Sequence, residues 1–172
     1  TYYGGGIFIE SSDPSLSDLI ITQNDLPDYS YSESSYSYYY TSSYGGGIYA
    51  VDSILDMDEV HLVDNNGDQG GGIYMDSTSD LALSQAYIGS NTATDGGGIM
   101  VDGGTLTLTN VLFAWNEADD YGGGIMVDSG TIDLTNVTHG KDDATTGGGI
   151  YSSSSTVNLH NSIIYGANTG EG

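Results

Sequence analysis

The tetrapeptide Gly-Gly-Gly-Ile occurs six times, beginning at Gly4, Gly45, Gly70, Gly96, Gly122 and Gly147. The last five copies are separated by 25, 26, 26 and 25 residues. A fixed period of this length marks a small structural unit that is repeated and packs mainly against its own neighbours. The first interval is 41 residues, and its excess lies between Asn24 and Gly45 as an insertion.

Aligning the copies exposes further columns. Leu16, Met57, Leu83, Leu108, Leu134 and Leu159 share one place, and Leu55, Leu81, Leu106, Ile132 and Val157 stand two residues earlier. Apolar positions two apart are the signature of strands. Next come Asp18, Glu59, Gln85, Asn110, Asn136 and Asn161, then Ile21, Leu62, Ile88 and Phe113, and three residues on Asn24, Asn65, Asn91 and Asn116. The fifth copy departs from this with His139 and Asp142. Glycine triplets and Ser/Thr-rich stretches are poor helix formers, which argues against a leucine-rich repeat, and a β-sandwich would not generate six copies in register. The pattern predicts an all-β parallel solenoid of about six coils, with three strands and three corners in each. Strand spacing of about 4.8 Å gives a rod roughly 30 Å long.

The pairing of Phe113-Ala114-Trp115-Asn116 with Gly122-Gly123-Gly124-Ile125 resembles the repeat of the polymorphic outer membrane proteins and related right-handed parallel β-helix surface proteins. The resemblance spans nearly the whole chain. It implies a right-handed, single-stranded, pectate-lyase-like coil, an extracellular or cell-surface location, and an adhesive passenger role.

Charge narrows the partners. The 172 residues hold 24 Asp and Glu against one cation, Lys141, for a formal charge of -23. Such a chain cannot neutralise a run of phosphates, which excludes nucleic acid and disfavours anionic lipid. No stretch approaches the roughly 18 to 20 apolar residues of a membrane span, so direct membrane insertion is not expected. Without Cys there is no disulfide framework and no thiolate metal site. The composition resembles that of proteins from salt-loving organisms. The chain opens at Thr1 and closes on Gly-Glu-Gly, and residues 1–172 are expected to be one β-helix domain cut from a longer protein or fibre.

Several columns carry candidate sites. Asn24, Asn65, Asn91 and Asn116 are expected to form a structural ladder, each amide donating to and accepting from the next coil. Glu10, Asp76, Asp102 and Asp128 stand six residues after the first Gly of their copies. Like charges adjacent on a sheet repel, so splaying into solvent, screening salt or a bound cation must compensate. Oxygen-rich sites suit Ca²⁺. Asp64, Asn66 and Asp68 have the spacing that opens a calcium loop, although Gln69 stands where the loop needs Gly and the distal Glu is absent. The candidate Ca²⁺ ligands are therefore Asp64, Asn66, Asp68, Asp76, Asp102 and Asp128, with a plain solvated turn as the alternative at 64–68. The insertion 25–44 is rich in Tyr and Ser, and Tyr29, Tyr31, Tyr36, Tyr38, Tyr39 and Tyr40 are candidate partner contacts, because Tyr offers rigid amphipathic area. It is expected to project from the rod, with room for a strand pair of its own; a flap packed over the coil is the alternative. His61, His139 and His160 share no column and read as surface or corner residues.

Catalysis is not expected. A β-eliminating lyase of the pectate-lyase-like kind needs a basic residue, and only Lys141 exists. A hydrolase needs two or three Asp converging on a groove, which the column Asp76, Asp102 and Asp128 could mimic. Duplication gives such a column for free, however, and carboxylates about 5 Å apart along one stack face the same way. The sequence therefore points to an extracellular structural or adhesive β-solenoid, self-associating end to end into a filament or binding a cell-surface glycan. The alternative is a carbohydrate-binding or glycoside-hydrolysing β-helix.

Overall fold

A computed structural model describes residues 1–27, 29–32, 37–165 and 168–169, and side chains in 1–27 and 40–165. Among the described residues there is no helix; parallel strands stack into a β-solenoid. The first face is six strands deep, with Ile7–Glu10, Ile48–Val51, Ile73–Met75, Ile99–Asp102, Ile125–Asp128 and Ile150–Ser153 in order, which corresponds to about 5 turns. The second and third faces begin as two long strands, Ser15–Thr22 and Ile54–Val63, that run through both. In later coils each divides in two, as in Asp80–Ser84 and Tyr87–Gly89 or Thr105–Thr109 and Leu112–Ala114.

A fourth, narrow face was not expected. Thr92–Asp95, Glu117–Tyr121 and Asp143–Thr146 pair in parallel, so a coil has four sides rather than three. Only one small residue per strand points inward there, Ala93, Ala118 or Ala144, all buried.

The interior follows from the period-two columns. Leu83 pairs with Leu108 and Leu108 with Leu134, and none is more than 2% exposed. Ile73, Ile99 and Ile125 are stacked in the same way and fully buried. Each apolar residue thus packs on its own equivalents above and below, and the core is continuous along the axis.

Corners are made by single residues in the left-handed backbone region. The column Asp18, Glu59, Gln85, Asn110, Asn136 and Asn161 turns the chain from the second face to the third with φ between 48 and 57°. Gln23, Asp64, Ser90, Trp115 and Lys141 do the same between the third and fourth. Asn tolerates this region better than Glu because its short amide bonds locally. Asp18 and Asp58 also raise the Glu59 pKa, Asp18 through both a hydrogen bond and its charge. Glu59→Asn, which copies the later coils, is therefore expected to raise Tm by about 2 °C, as scanning calorimetry would show; an unchanged or lower Tm would contradict the corner assignment.

The triplet serves the remaining corner. Gly70 has φ +65°. Gly97 needs the absence of a side chain for another reason: an added Cβ would meet the carbonyl oxygens of Glu117 and, at 2.6 Å, Gly123, both backbone of the next coil.

The insertion carries an antiparallel strand pair, Tyr29–Ser32 with Ser37–Tyr40, closed at its base where the Thr41 hydroxyl donates to the Pro27 carbonyl at 3.1 Å.

Candidate functional site

The Asn column forms a buried chain of hydrogen bonds. Asn24 Nδ2 donates to Asn65 Oδ1 at 2.8 Å, Asn65 to Asn91 at 3.0 Å, Asn91 to Asn116 at 3.0 Å and Asn116 to Asp142 Oδ1 at 2.9 Å. The backbone N–H of each also donates to the same oxygen. The second amide hydrogen of Asn65, Asn91 and Asn116 reaches a carbonyl of the preceding coil. Asn65, Asn91 and Asn116 are fully buried, and the network satisfies their side-chain amides.

The ladder ends on a substituted unit. Asp142 takes the Asn place and His139 the place of Phe113, and their contact is 3.0 Å between Nδ1 and Oδ2. Both are buried, His139 lies flat on Phe113 with centroids 4.4 Å apart, and its Nε2 has no hydrogen-bond partner. The expectation that His139 is a surface or corner residue is corrected here: it faces the core because it occupies an inward strand position.

Of the candidate calcium ligands, the structure makes direct register neighbours of Asp102 and Asp128. Among the described residues no group of three or more His, Cys, Asp or Glu side chains could hold a metal ion. Asp64 sits exposed at a left-handed corner. Asn66 bonds Asp25 and Thr92, and Asp68 accepts from the Ser43 N–H at 3.0 Å, so these side chains join neighbouring coils. Asp76 leaves the first face and ties a turn, accepting from Thr78 and from Ser79 at 2.7 Å. Desolvation pushes its pKa up, but those hydrogen bonds outweigh it and hold the carboxyl below the usual range. Asp102 and Asp128 are register neighbours, and Asp102 accepts from the Tyr74 hydroxyl at 3.0 Å.

Of the insertion tyrosines, Tyr40 is 84% exposed; the side chains of Tyr29, Tyr31, Tyr38 and Tyr39 and the whole of Tyr36 lie outside the described residues.

Two outward columns were missed in the sequence. One follows every Gly-Gly-Gly-Ile: Phe8, Tyr49, Tyr74, Met100, Met126 and Tyr151. Phe8, Tyr49 and Tyr74 stack at 5.4 Å intervals, and Tyr3 and Tyr44 close over them from across the glycine corner. Burial, and then Asp102, raise the Tyr74 pKa, so its hydroxyl stays protonated. The sixfold recurrence of a large residue after the tetrapeptide was a readable signal.

The second column is on the third face, where Ile20, His61, Tyr87, Leu112, Thr138 and Ile163 point outward in register. With Gln85, Asn110 and Asn136 across the corner, the middle of this column borders an open trough of about 650 Å³.

No family model, curated protein or solved structure matches the chain. The parallel β-solenoid itself is compatible with a β-helix repeat protein. Chemically, the trough combines one aromatic ring, an imidazole, an aliphatic side chain and amides.

Proposed function

We propose that this chain is a segment of an extracellular structural or adhesive solenoid, of the kind its repeat resembles in the polymorphic outer membrane proteins. The observation that carries the reading is the trough on the third face, where outward side chains repeat at one strand spacing on coils joined by the amide ladder. Such a surface suits a long partner that is held at several coils. Catalysis is not part of the proposal. End-to-end self-association belongs to the same reading, and sedimentation over a concentration series would detect it.

The test is adhesion. Beads carrying the full chain should adhere to intact cells or extracellular matrix well above beads carrying an equally acidic inert protein. Equal adhesion would overturn the proposal, and release of reducing sugar from polysaccharides would replace it with a hydrolase.

The acidic surface adds an expectation of its own. Twenty-four carboxylates face one cation, and Asp102 and Asp128 are stacked directly. Raising NaCl from about 0.1 M to about 1 M shortens the screening length from ~10 Å to ~3 Å, so Tm is expected to rise steadily across that range. A flat response would count against an environment rich in salt.

A further inference from the structure

We infer that the trough on the third face binds an extended, uncharged polysaccharide lying along the solenoid axis. The inference rests on the adhesive reading and names its ligand class. Charge selects first. The protein carries -23, yet no Asp or Glu lines the trough. The corner column that forms one wall changes from carboxylates, Asp18 and Glu59, to amides at Gln85, Asn110, Asn136 and Asn161. The surrounding field repels polyanions such as uronates, and the trough offers no carboxylate to attract a cation. A neutral ligand is left.

The side chains then select chemistry. Tyr87 and Leu112 present apolar surface, Leu112 being 43% exposed, and His61 stands edge-on to Tyr87 with ring centroids 6.0 Å apart. Opposite them, Asn136 Nδ2 donates to Asn110 Oδ1 at 3.0 Å and Asn161 Nδ2 to Asn136 Oδ1, which fixes the amides as a row along the axis. Gln85 is fixed by donating to Asp58 at 3.0 Å. The Asn110 Nδ2 hydrogens have no protein acceptor among the described residues. A sugar ring has one apolar face, which packs on an aromatic or aliphatic side chain, and a rim of hydroxyls, which both donate to and accept from amides. This is the complementary arrangement of an apolar wall and a few convergent polar groups. The outward positions of successive coils lie about 4.8 Å apart, close to the width of one sugar ring, so a linear chain can place one residue over each coil although the side chain it meets changes from His61 to Tyr87, Leu112 and Thr138. The absence of a carboxylate pair in the trough fits binding without cleavage.

The experiment uses the full chain and calorimetric titration with neutral hexasaccharides of glucose, mannose, galactose and N-acetylglucosamine, with hexagalacturonate as the charged comparison. At least one neutral hexasaccharide should bind, the matching disaccharide about tenfold or more weaker, and the uronate not at all. Tyr87→Ala should weaken binding about tenfold. Thr138→Lys, which leaves the core untouched and fills the trough, should abolish it, while Tyr121→Ala on the fourth face should change nothing. Binding of none of the neutral sugars, stronger binding of the uronate, or binding indifferent to both Tyr87→Ala and Thr138→Lys would each overturn the inference. If the beads still adhere to cells while no glycan binds, the ligand assignment fails and the adhesive reading stands; if glycans bind but the beads do not adhere, the reverse holds.

Discussion

Gly97→Ala should lower Tm by about 6 to 12 °C. An ideal Cβ on Gly97 would press on the Glu117 carbonyl and lie 2.6 Å from the Gly123 oxygen. Both obstacles are backbone: the Gly123 oxygen accepts from Gly98 N–H in a bond that joins coils, and Glu117 is held in place by its own N–H, which donates to Asn91 O. Relief by rotation of a side chain is not available. Either the coils separate at this corner or the glycine backbone distorts; overpacking with backbone displacement typically costs about 1 to 3 kcal/mol, and the upper end applies where only backbone can give way. At this chain length each kcal/mol moves Tm by about 2 to 4 °C. Gly140→Ala is the matched comparison. Its Cβ would meet the edge of the Tyr165 ring at 3.4 Å and come no nearer than 4.0 Å to the Phe113 carbonyl, and its register neighbour is already alanine, Ala114. That variant should melt within about 2 °C of the parent protein. Equal effects of the two substitutions would mean that the triplet is needed for chain flexibility alone and that the coils do not approach as closely as described.

This contrast shows where the sequence was legible. Six copies of Gly-Gly-Gly-Ile fixed the period, and columns such as Leu83, Leu108 and Leu134 gave both strand and register, because every inward position repeats the same chemistry. The fourth face escaped because its strands, such as Thr92–Asp95 and Glu117–Tyr121, contribute one alanine each to the interior and are otherwise polar. A single small apolar residue leaves no detectable alternation. The trough escaped for a different reason. Its wall reads His61, Tyr87, Leu112 and Thr138 from coil to coil, and outward positions have no packing partner that would force them to agree. Acidic spacing misled in turn: Asp64, Asn66 and Asp68 resemble a calcium loop in sequence, yet Asp64 lies at a corner while Asn66 and Asp68 bond sideways to adjacent coils. Proximity along the chain is a weak guide where the nearest neighbours are 25 or 26 residues away.

The fifth coil offers the sharpest test of that neighbour logic. His139 and Asp142 are a matched exception, an imidazole where coils above and below have Phe113 and Ile164, and a carboxylate where the ladder has amides. Asp142 Oδ1 receives two hydrogen bonds from Asn116, at 2.9 and 3.0 Å, and Oδ2 meets His139 Nδ1. His139→Leu removes the one group bonded to Oδ2 among the described residues and leaves a fully buried carboxyl half satisfied. Removing one partner of a buried hydrogen-bonded pair costs about 1 to 3 kcal/mol, and more where the group left behind is charged. Asp142→Asn keeps the Oδ1 bonds that continue the ladder and should cost about 1 kcal/mol, through the weaker partner left for His139. The double variant restores the pattern of the neighbouring coils, an apolar residue in the core column and an amide in the ladder. Replacing both members of a buried pair by well-fitting uncharged groups is often neutral or stabilising by about 1 to 4 kcal/mol, so the double variant should be at least as stable as the parent. Thermal unfolding of the four proteins forms a complete cycle, and the coupling should exceed about 2 kcal/mol because the two residues act as one unit. If the double variant instead loses the sum of the two single losses, the pair is not a linked substitution within the ladder, and the Asn column does not set the structural requirement at that corner.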